Sequence, residues 1–196
     1  MKPVILLLLL LACPFLAHGD AAPGDAFKAG VFDPPRFAPD FELQGSNGAP
    51  LTLSGQRGKV VALEFGFSNC QKVCPVTLAN LARVSALLGD EAGSLQVIFV
   101  TVDPQRDTPQ RLNEYLAMFN PAFLGATGTP AQLEAVDASY GIEAQREAVQ
   151  DAKLGYEVHH SSSIYLIDRD GKLRLMVPFG MPAEDILHDV RILIHG

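Results

Sequence analysis

The chain contains no tryptophan, four tyrosines and three cysteines in 196 residues. Three cysteines cannot build a disulfide framework, so the fold must rest on an apolar core. With 48 % hydrophobic residues, the chain is long enough to form one such core as a single domain. It also lacks any basic stretch. Fifteen Lys and Arg stand against 22 Asp and Glu, a formal net charge of −7, which argues against nucleic-acid binding. No internal repeat is present, and no apolar run is comfortably long enough to span a membrane.

The first residues do not belong to the folded domain. Met1-Lys2 is followed by an apolar run from Val4 to Ala17 and by Ala17-His18-Gly19, a small-x-small cleavage pattern. A run of about fourteen residues suits a secretory signal, so residues 1–19 are expected to be a signal peptide. Leu10-Leu11-Ala12-Cys13 also resembles a lipobox. Three fates therefore stay open: cleavage, lipidation at Cys13, or retention as an anchor. Each puts the domain outside the cytoplasm, in the periplasm or at the outer face of the cytoplasmic membrane. Association with the membrane through the N-terminus is compatible with all of this. Residues 20–38, rich in Ala, Gly and Pro, are expected to form a flexible tether, and 39–196 the folded domain.

From Pro39 the pattern becomes regular. Phe41 to Leu43 and Leu51 to Leu53 alternate around a Gly/Asn-rich turn, as in a hairpin. Lys59 to Phe67 and Leu95 to Val102 are apolar runs typical of strands buried on both faces. Between them, Val73 to Leu88 has helical spacing closed by Gly89. Thr108-Pro109 opens a helix to about Phe119, and Thr129-Pro130 another to Tyr140. Residues 141–158 are polar and aperiodic, an expected inserted loop or hairpin. A strand (Ser162 to Asp168), a turn at Asp170-Gly171, a partner strand (Leu173 to Val177) and a helix (Pro182 to Ile194) complete the chain. This order predicts an α/β, thioredoxin-like fold, a central mixed sheet flanked by helices.

Cys70 and Cys74 are the only cysteines of the domain, and they sit where a buried strand meets a helix. At i and i+4 they share one face, so both sulfurs can address a single point. The unpaired N–H groups of a helix start favour a thiolate, and Lys72 between the cysteines is expected to add to this. Two converging thiolates suit a soft ion such as Cu(I); they are equally able to close a disulfide. An inert, purely structural pair is the bland alternative.

Three segments carry a family resemblance. Phe65-Gly-Phe-Ser-Asn-Cys-Gln-Lys-Val-Cys-Pro-Val-Thr-Leu78, Val100-Thr-Val-Asp-Pro-Gln-Arg-Asp-Thr-Pro109 and Val158-His-His-Ser-Ser-Ser-Ile-Tyr-Leu-Ile-Asp168 resemble, in the same order, motifs of the Sco/SenC proteins. These are thioredoxin-fold factors for copper delivery to cytochrome c oxidase. The resemblance spans about Ala38 to the C-terminus. It implies a copper ligand set of Cys70, Cys74 and His160, and a copper-site oxidase subunit as partner. A second copper carrier or a thiol reductant would complete the exchange. Counted back from Ile164-Tyr165-Leu166, the ligand histidine falls at His160, with His159 where many relatives have Asp. Neighbours on an extended segment point to opposite faces, so at most one of the two should reach the sulfurs. His18, His188 and His195 read as signal segment, helix surface and tail. Two sulfurs and one imidazole suit trigonal Cu(I), whereas Cu(II) would recruit a fourth ligand and a structural zinc usually has four.

Other features bear on plain redox chemistry. The spacing is C-x-x-x-C, not the C-x-x-C of thioredoxin-like oxidoreductases, and the position of their cis-proline falls at about Ser161. Both differences favour a metal site. Glu64 points the other way. It lies six residues before Cys70, where thioredoxins carry a buried proton-handling acid and copper-family relatives usually have an uncharged residue. As a buried carboxyl it would act as a proton shuttle with a raised pKa. Otherwise it reaches solvent or a basic partner. Gln71-Lys72 replaces the family's common Pro-Asp. Two functions therefore stand: a copper metallochaperone, and an enzyme, a thiol–disulfide oxidoreductase cycling Cys70 and Cys74 on the cysteines of the target. A peroxidase lacks its Pro-x-x-x-Thr/Ser-x-x-Cys setting here. Asp103 and Asp107, beside Pro104, Arg106 and Pro109, read as turn, Arg-pairing and helix-capping residues.

Overall fold

The computed structural model describes residues 26–148, 156–160 and 162–196. The signal-like segment with Cys13 and His18, the first part of the expected tether, and Ser161 lie outside the described residues.

Two strongly apolar segments set the centre of the sheet. β4 (Val60–Gly66) and β5 (Leu95–Thr101) are buried at every position and pair in parallel, Val60 opposite Leu95 through Gly66 opposite Thr101. A parallel pair needs a crossover, and α1 (Val73–Leu88) supplies it. It buries Leu78, Leu81, Val84 and Leu88 on one stripe. β6 (Leu124–Thr127) continues the parallel set beside β5, reached through α2 (Pro109–Ala117).

Antiparallel strands flank this centre. On one side lie β9 (Ile164–Ile167) and β10 (Lys172–Val177), joined through the turn at Asp170-Gly171. On the other lies the hairpin of β2 (Glu42–Gly45) and β3 (Pro50–Thr52). With β1 (Gly30–Phe37), the sheet of eight reads β1-β10-β9-β4-β5-β6-β2-β3. One face carries α1, α2 and α4 (Ala183–His195) over a core that includes Leu78, Phe99, Leu116 and Val190. The other carries α3 (Pro130–Tyr140) over Phe65, Ile98, Val136 and Tyr165. The architecture is the expected mixed, thioredoxin-like one.

The inserted segment is a hairpin of its own. β7 (Ala144–Ala148) and β8 (Tyr156–His160) form a separate antiparallel ribbon, with Ala144 opposite His160. Its polar sequence hid two anchors. Val158 is buried and Tyr156 packs beside it against the core that holds Phe65.

The tether expected over 20–38 requires correction. Gly30–Phe37 is an edge strand, antiparallel to β10, with a register shift between Val31 and Arg36. Two prolines are tolerated there because an edge strand has an unpaired side where the missing N–H is not needed. A buried charge supplies the rest. The fully buried Asp189 of α4 accepts the backbone N–H of Lys28 at 2.8 Å and of Ala29 at 2.8 Å. Composition had masked this anchor because its partner lies 160 residues away in sequence.

Removing that carboxylate leaves two backbone donors without it. Asp189→Ala is expected to cost about 2–3 kcal/mol, the scale for hydrogen bonds to a charged group. Urea denaturation should report the loss, and limited proteolysis should cut first near residues 27–37.

Candidate metal centre

β4 ends at Gly66, and the chain turns sharply before α1. Gly66 is needed for space: a Cβ there would lie 2.7 Å from the Phe99 ring and 2.8 Å from the Cys74 sulfur. The turn Phe67 to Cys70 closes with the Cys70 N–H donating to the Phe67 carbonyl at 3.1 Å. Lys72 caps α1 without a side-chain hydrogen bond, so the first N–H groups of the helix are free to serve another acceptor. That acceptor is Cys70. The Cys74 N–H donates to its sulfur at 3.4 Å.

The two cysteines are thiols, not a disulfide, and differ sharply in setting. Cys74 is fully buried in the helix-covered core, whereas Cys70 is half-exposed. The Cys74 thiol hydrogen-bonds to Cys70, and the backbone N–H groups of Cys74, Lys72 and Val73 add to that stabilisation. Against the cost of burial, they lower the Cys70 pKa to about 5. The same thiol–sulfur bond, with burial and the nearby charges of Glu64 and Cys70, pushes Cys74 far above the usual thiol range. At neutral pH the pair thus holds one proton: a partly accessible thiolate and a buried thiol. Lys72 contributes through its backbone N–H.

Glu64 joins this pair. It is 4 % exposed, and its Oε2 has no hydrogen-bond partner. Burial, reinforced by the Cys70 charge, raises its pKa well above the carboxylate range. At 4 % exposure Glu64 does not face solvent, and among the described residues no basic side chain pairs with it. Tyr115 of α2 lies in the same neighbourhood, buried, with its hydroxyl unpartnered and its pKa raised chiefly by burial. No periodic pattern marked it as more than a core aromatic.

His160 is the last residue of β8, its backbone opposite Ala144, with His159 opposite Gln145. The next strand, β9, lies beside β4 with Ile164 opposite Glu64. Among the described residues no three His, Cys, Asp or Glu side chains cluster as a metal site. Half-buried His188 contacts the buried Asp189 at 3.0 Å, and exposed His195 contacts Glu91 at 3.0 Å.

The loop from Val102 to Thr108 holds the cysteine turn from behind. Asp107 is fully buried, and its carboxylate accepts the Ser68 N–H at 3.0 Å, the Ser68 hydroxyl at 2.6 Å and the Thr101 hydroxyl at 2.6 Å. Asp103, equally buried, pairs with Arg106 and accepts the Tyr156 hydroxyl at 2.6 Å. The Arg pairing is as expected. Helix capping is not theirs: Thr108 caps α2, accepting the Arg111 N–H. Their long-range partners, Ser68 and Tyr156, carry no local sequence signal.

Comparison with known proteins gives the family. The SCO1/SenC family model matches residues 31–195. The chain belongs to this family. It is 35 % identical over 133 residues to an SCO2-like protein of Rickettsia felis, a match covering 68 % of this chain and 65 % of that one, just under two thirds of the relative's length. Among solved structures it is similar to Bradyrhizobium japonicum ScoI with copper bound, with TM-score 0.74 and 32 % identity over 81 % of this chain and 99 % of that one. It is also similar to BsSco, in which a disulfide switch was identified and which is described as a member of the Sco family of cytochrome c oxidase assembly proteins. There the TM-score is 0.63 and the identity 25 %, over 83 % of this chain and 95 % of that one.

The one-proton pair has a measurable signature. In the reduced, metal-free protein Cys70 should react with iodoacetamide along a titration centred near pH 5, while native Cys74 stays unreactive. Between pH 5 and the ordinary thiol pKa of 9.0, the folded pair binds one proton and the unfolded pair two. The contribution of the pair to stability should therefore rise with pH across that window. It is read as the difference in urea midpoints between the wild type and Cys70→Ala, because the raised Glu64 acts in the opposite sense in both.

Proposed function

We propose that this protein is a copper metallochaperone. It holds one copper ion, as Cu(I), between the sulfurs of Cys70 and Cys74 and the imidazole of His160. It passes the ion to the dinuclear copper site of a cytochrome c oxidase subunit during assembly. It works outside the cytoplasm, in the periplasm or at the outer face of the cytoplasmic membrane. The observation that carries this reading is the cysteine pair itself, a half-exposed thiolate one helical turn from a buried thiol on the first turn of α1. A soft monovalent ion bound by both sulfurs displaces the remaining proton, so loading depends on pH.

The backbone supports His160 as the third ligand. β9 pairs with β4 in antiparallel register, Ile164 opposite Glu64, so the chain just before Ile164 runs beside the end of β4 that leads into the cysteine turn. The likeness to ScoI with copper bound and to a cytochrome c oxidase assembly factor supports the cargo and the target.

A second reading rests on Glu64. Its buried carboxyl beside the pair suits a thiol–disulfide exchange in which the Cys70 thiolate attacks a target disulfide. The mixed disulfide removes the Cys70 charge that helps keep Glu64 protonated, so Glu64 can ionise and take the Cys74 proton. The Cys74 thiolate then attacks Cys70, closes the Cys70–Cys74 disulfide and releases the target's two sulfurs, which become thiols with one proton from Glu64 and one from water. Such a step would prepare the target's cysteines for copper.

A Cu(I) competition titration on the reduced domain tests the first reading. One equivalent should bind, with His160→Ala weakening affinity by more than about 100-fold, beyond the 10–100-fold typical of an outer partner of a ligand, and His159→Ala leaving it unchanged. Equal affinity for wild type and His160→Ala would sink the three-ligand site. Glu64→Gln should slow reduction of a model disulfide while copper affinity stays nearly intact; an equal loss of both would mean that Glu64 only supports the fold.

A further inference from the structure

The Arg106 guanidinium lies between the two halves of the proposed copper site. It stands 3.9 Å from the ring centroid of Tyr156 at the start of β8 and 5.7 Å from that of Phe67 at the start of the cysteine turn. It donates to the Tyr156 carbonyl at 3.1 Å and pairs with the buried Asp103, whose other oxygen accepts the Tyr156 hydroxyl at 2.6 Å. Tyr156 is thus held by its ring, its hydroxyl and its carbonyl, all from one loop. That same loop, through Asp107, holds Ser68 two residues before Cys70.

We propose that Arg106, with Asp103, is a positioning residue for copper: it clamps Tyr156 and so fixes β8, and with it His160, against the cysteine turn. The ribbon of β7 and β8 needs such a clamp because it is two-stranded and stands apart from the main sheet. An isolated two-stranded hairpin is marginal in water. Between Tyr156 and His160 there is one strand of five residues. An error in the seat of Tyr156 is therefore carried along an extended, stiff segment to the histidine. The stacked guanidinium is suited to the task, since it binds a carboxylate in the plane of its fork and an aromatic ring over its face. A lysine could not do both.

This inference rests on His160 being a ligand, and a double-mutant cycle keeps the two claims apart. Cu(I) affinity is measured for wild type, Arg106→Gln, His160→Ala and the double variant, alongside the alkylation titration of Cys70 and the thermal midpoint. Arg106→Gln should weaken copper by about 10–100-fold in the wild-type background, the range for residues that orient a ligand. In the His160→Ala background it should change nothing further, and the Cys70 titration should not move. Tyr156→Phe, which loses only the hydroxyl bond to Asp103, should give the same pattern at about fivefold and remains informative if Arg106→Gln folds poorly. Arg106→Lys should not rescue. An equal loss in both backgrounds, or none in the wild type, overturns the clamp while leaving the ligand set intact. No effect of His160→Ala alone overturns the ligand set and the clamp with it.

Discussion

Asp107 has no accessible surface, yet it collects three donors from two segments far apart in sequence: the amide and hydroxyl of Ser68 and the hydroxyl of Thr101. A buried carboxylate without such partners would be strongly destabilising, so these bonds are obligatory once the residue is inside. They tie the chain just beyond β4 to the end of β5, where a parallel sheet naturally opens a crevice for chemistry. The turn that carries Cys70 is held by this anchor, and the start of α1 follows from the turn. Asp103 extends the same loop toward Tyr156 and the ribbon. Two buried aspartates thus organise the end of the sheet on which the site depends.

The anchored turn makes the thiols unequal. Both come from one residue type at helical spacing, but only Cys70 receives the helix N–H groups, and only Cys74 is sealed into the core. The consequence is a division of labour within the pair: one sulfur is ready to meet a partner, and the other is held in reserve with its proton. Glu64 adds a buried acid whose Oε2 has no hydrogen-bond partner, a costly arrangement for stability. Copper transfer and thiol exchange would use the same two sulfurs and differ in what becomes of that proton.

Much of this was legible along the chain. The strands Val60–Gly66 and Leu95–Thr101 and the helix Val73–Leu88 appear where apolar runs and spacing put them. Threonine-proline pairs opened α2 and α3 as expected. Failures fell where a segment is organised by something distant. Gly30–Phe37 looks like a tether because its order comes from β10 and from Asp189 of α4. The ribbon looks aperiodic because two residues, Tyr156 and Val158, anchor it to the core.

The sequence by itself determined the reactive pair, its place at a strand–helix junction and the family motifs, because these are local patterns of residue type and spacing. Only the tertiary structure decided which thiol is ionised, that Glu64 is buried beside it, and that the loop of Asp103, Arg106 and Asp107 joins the cysteine turn to the ribbon of His160. Burial, ionisation and the meeting of distant segments depend on what surrounds a group in space, and no spacing along the chain encodes that.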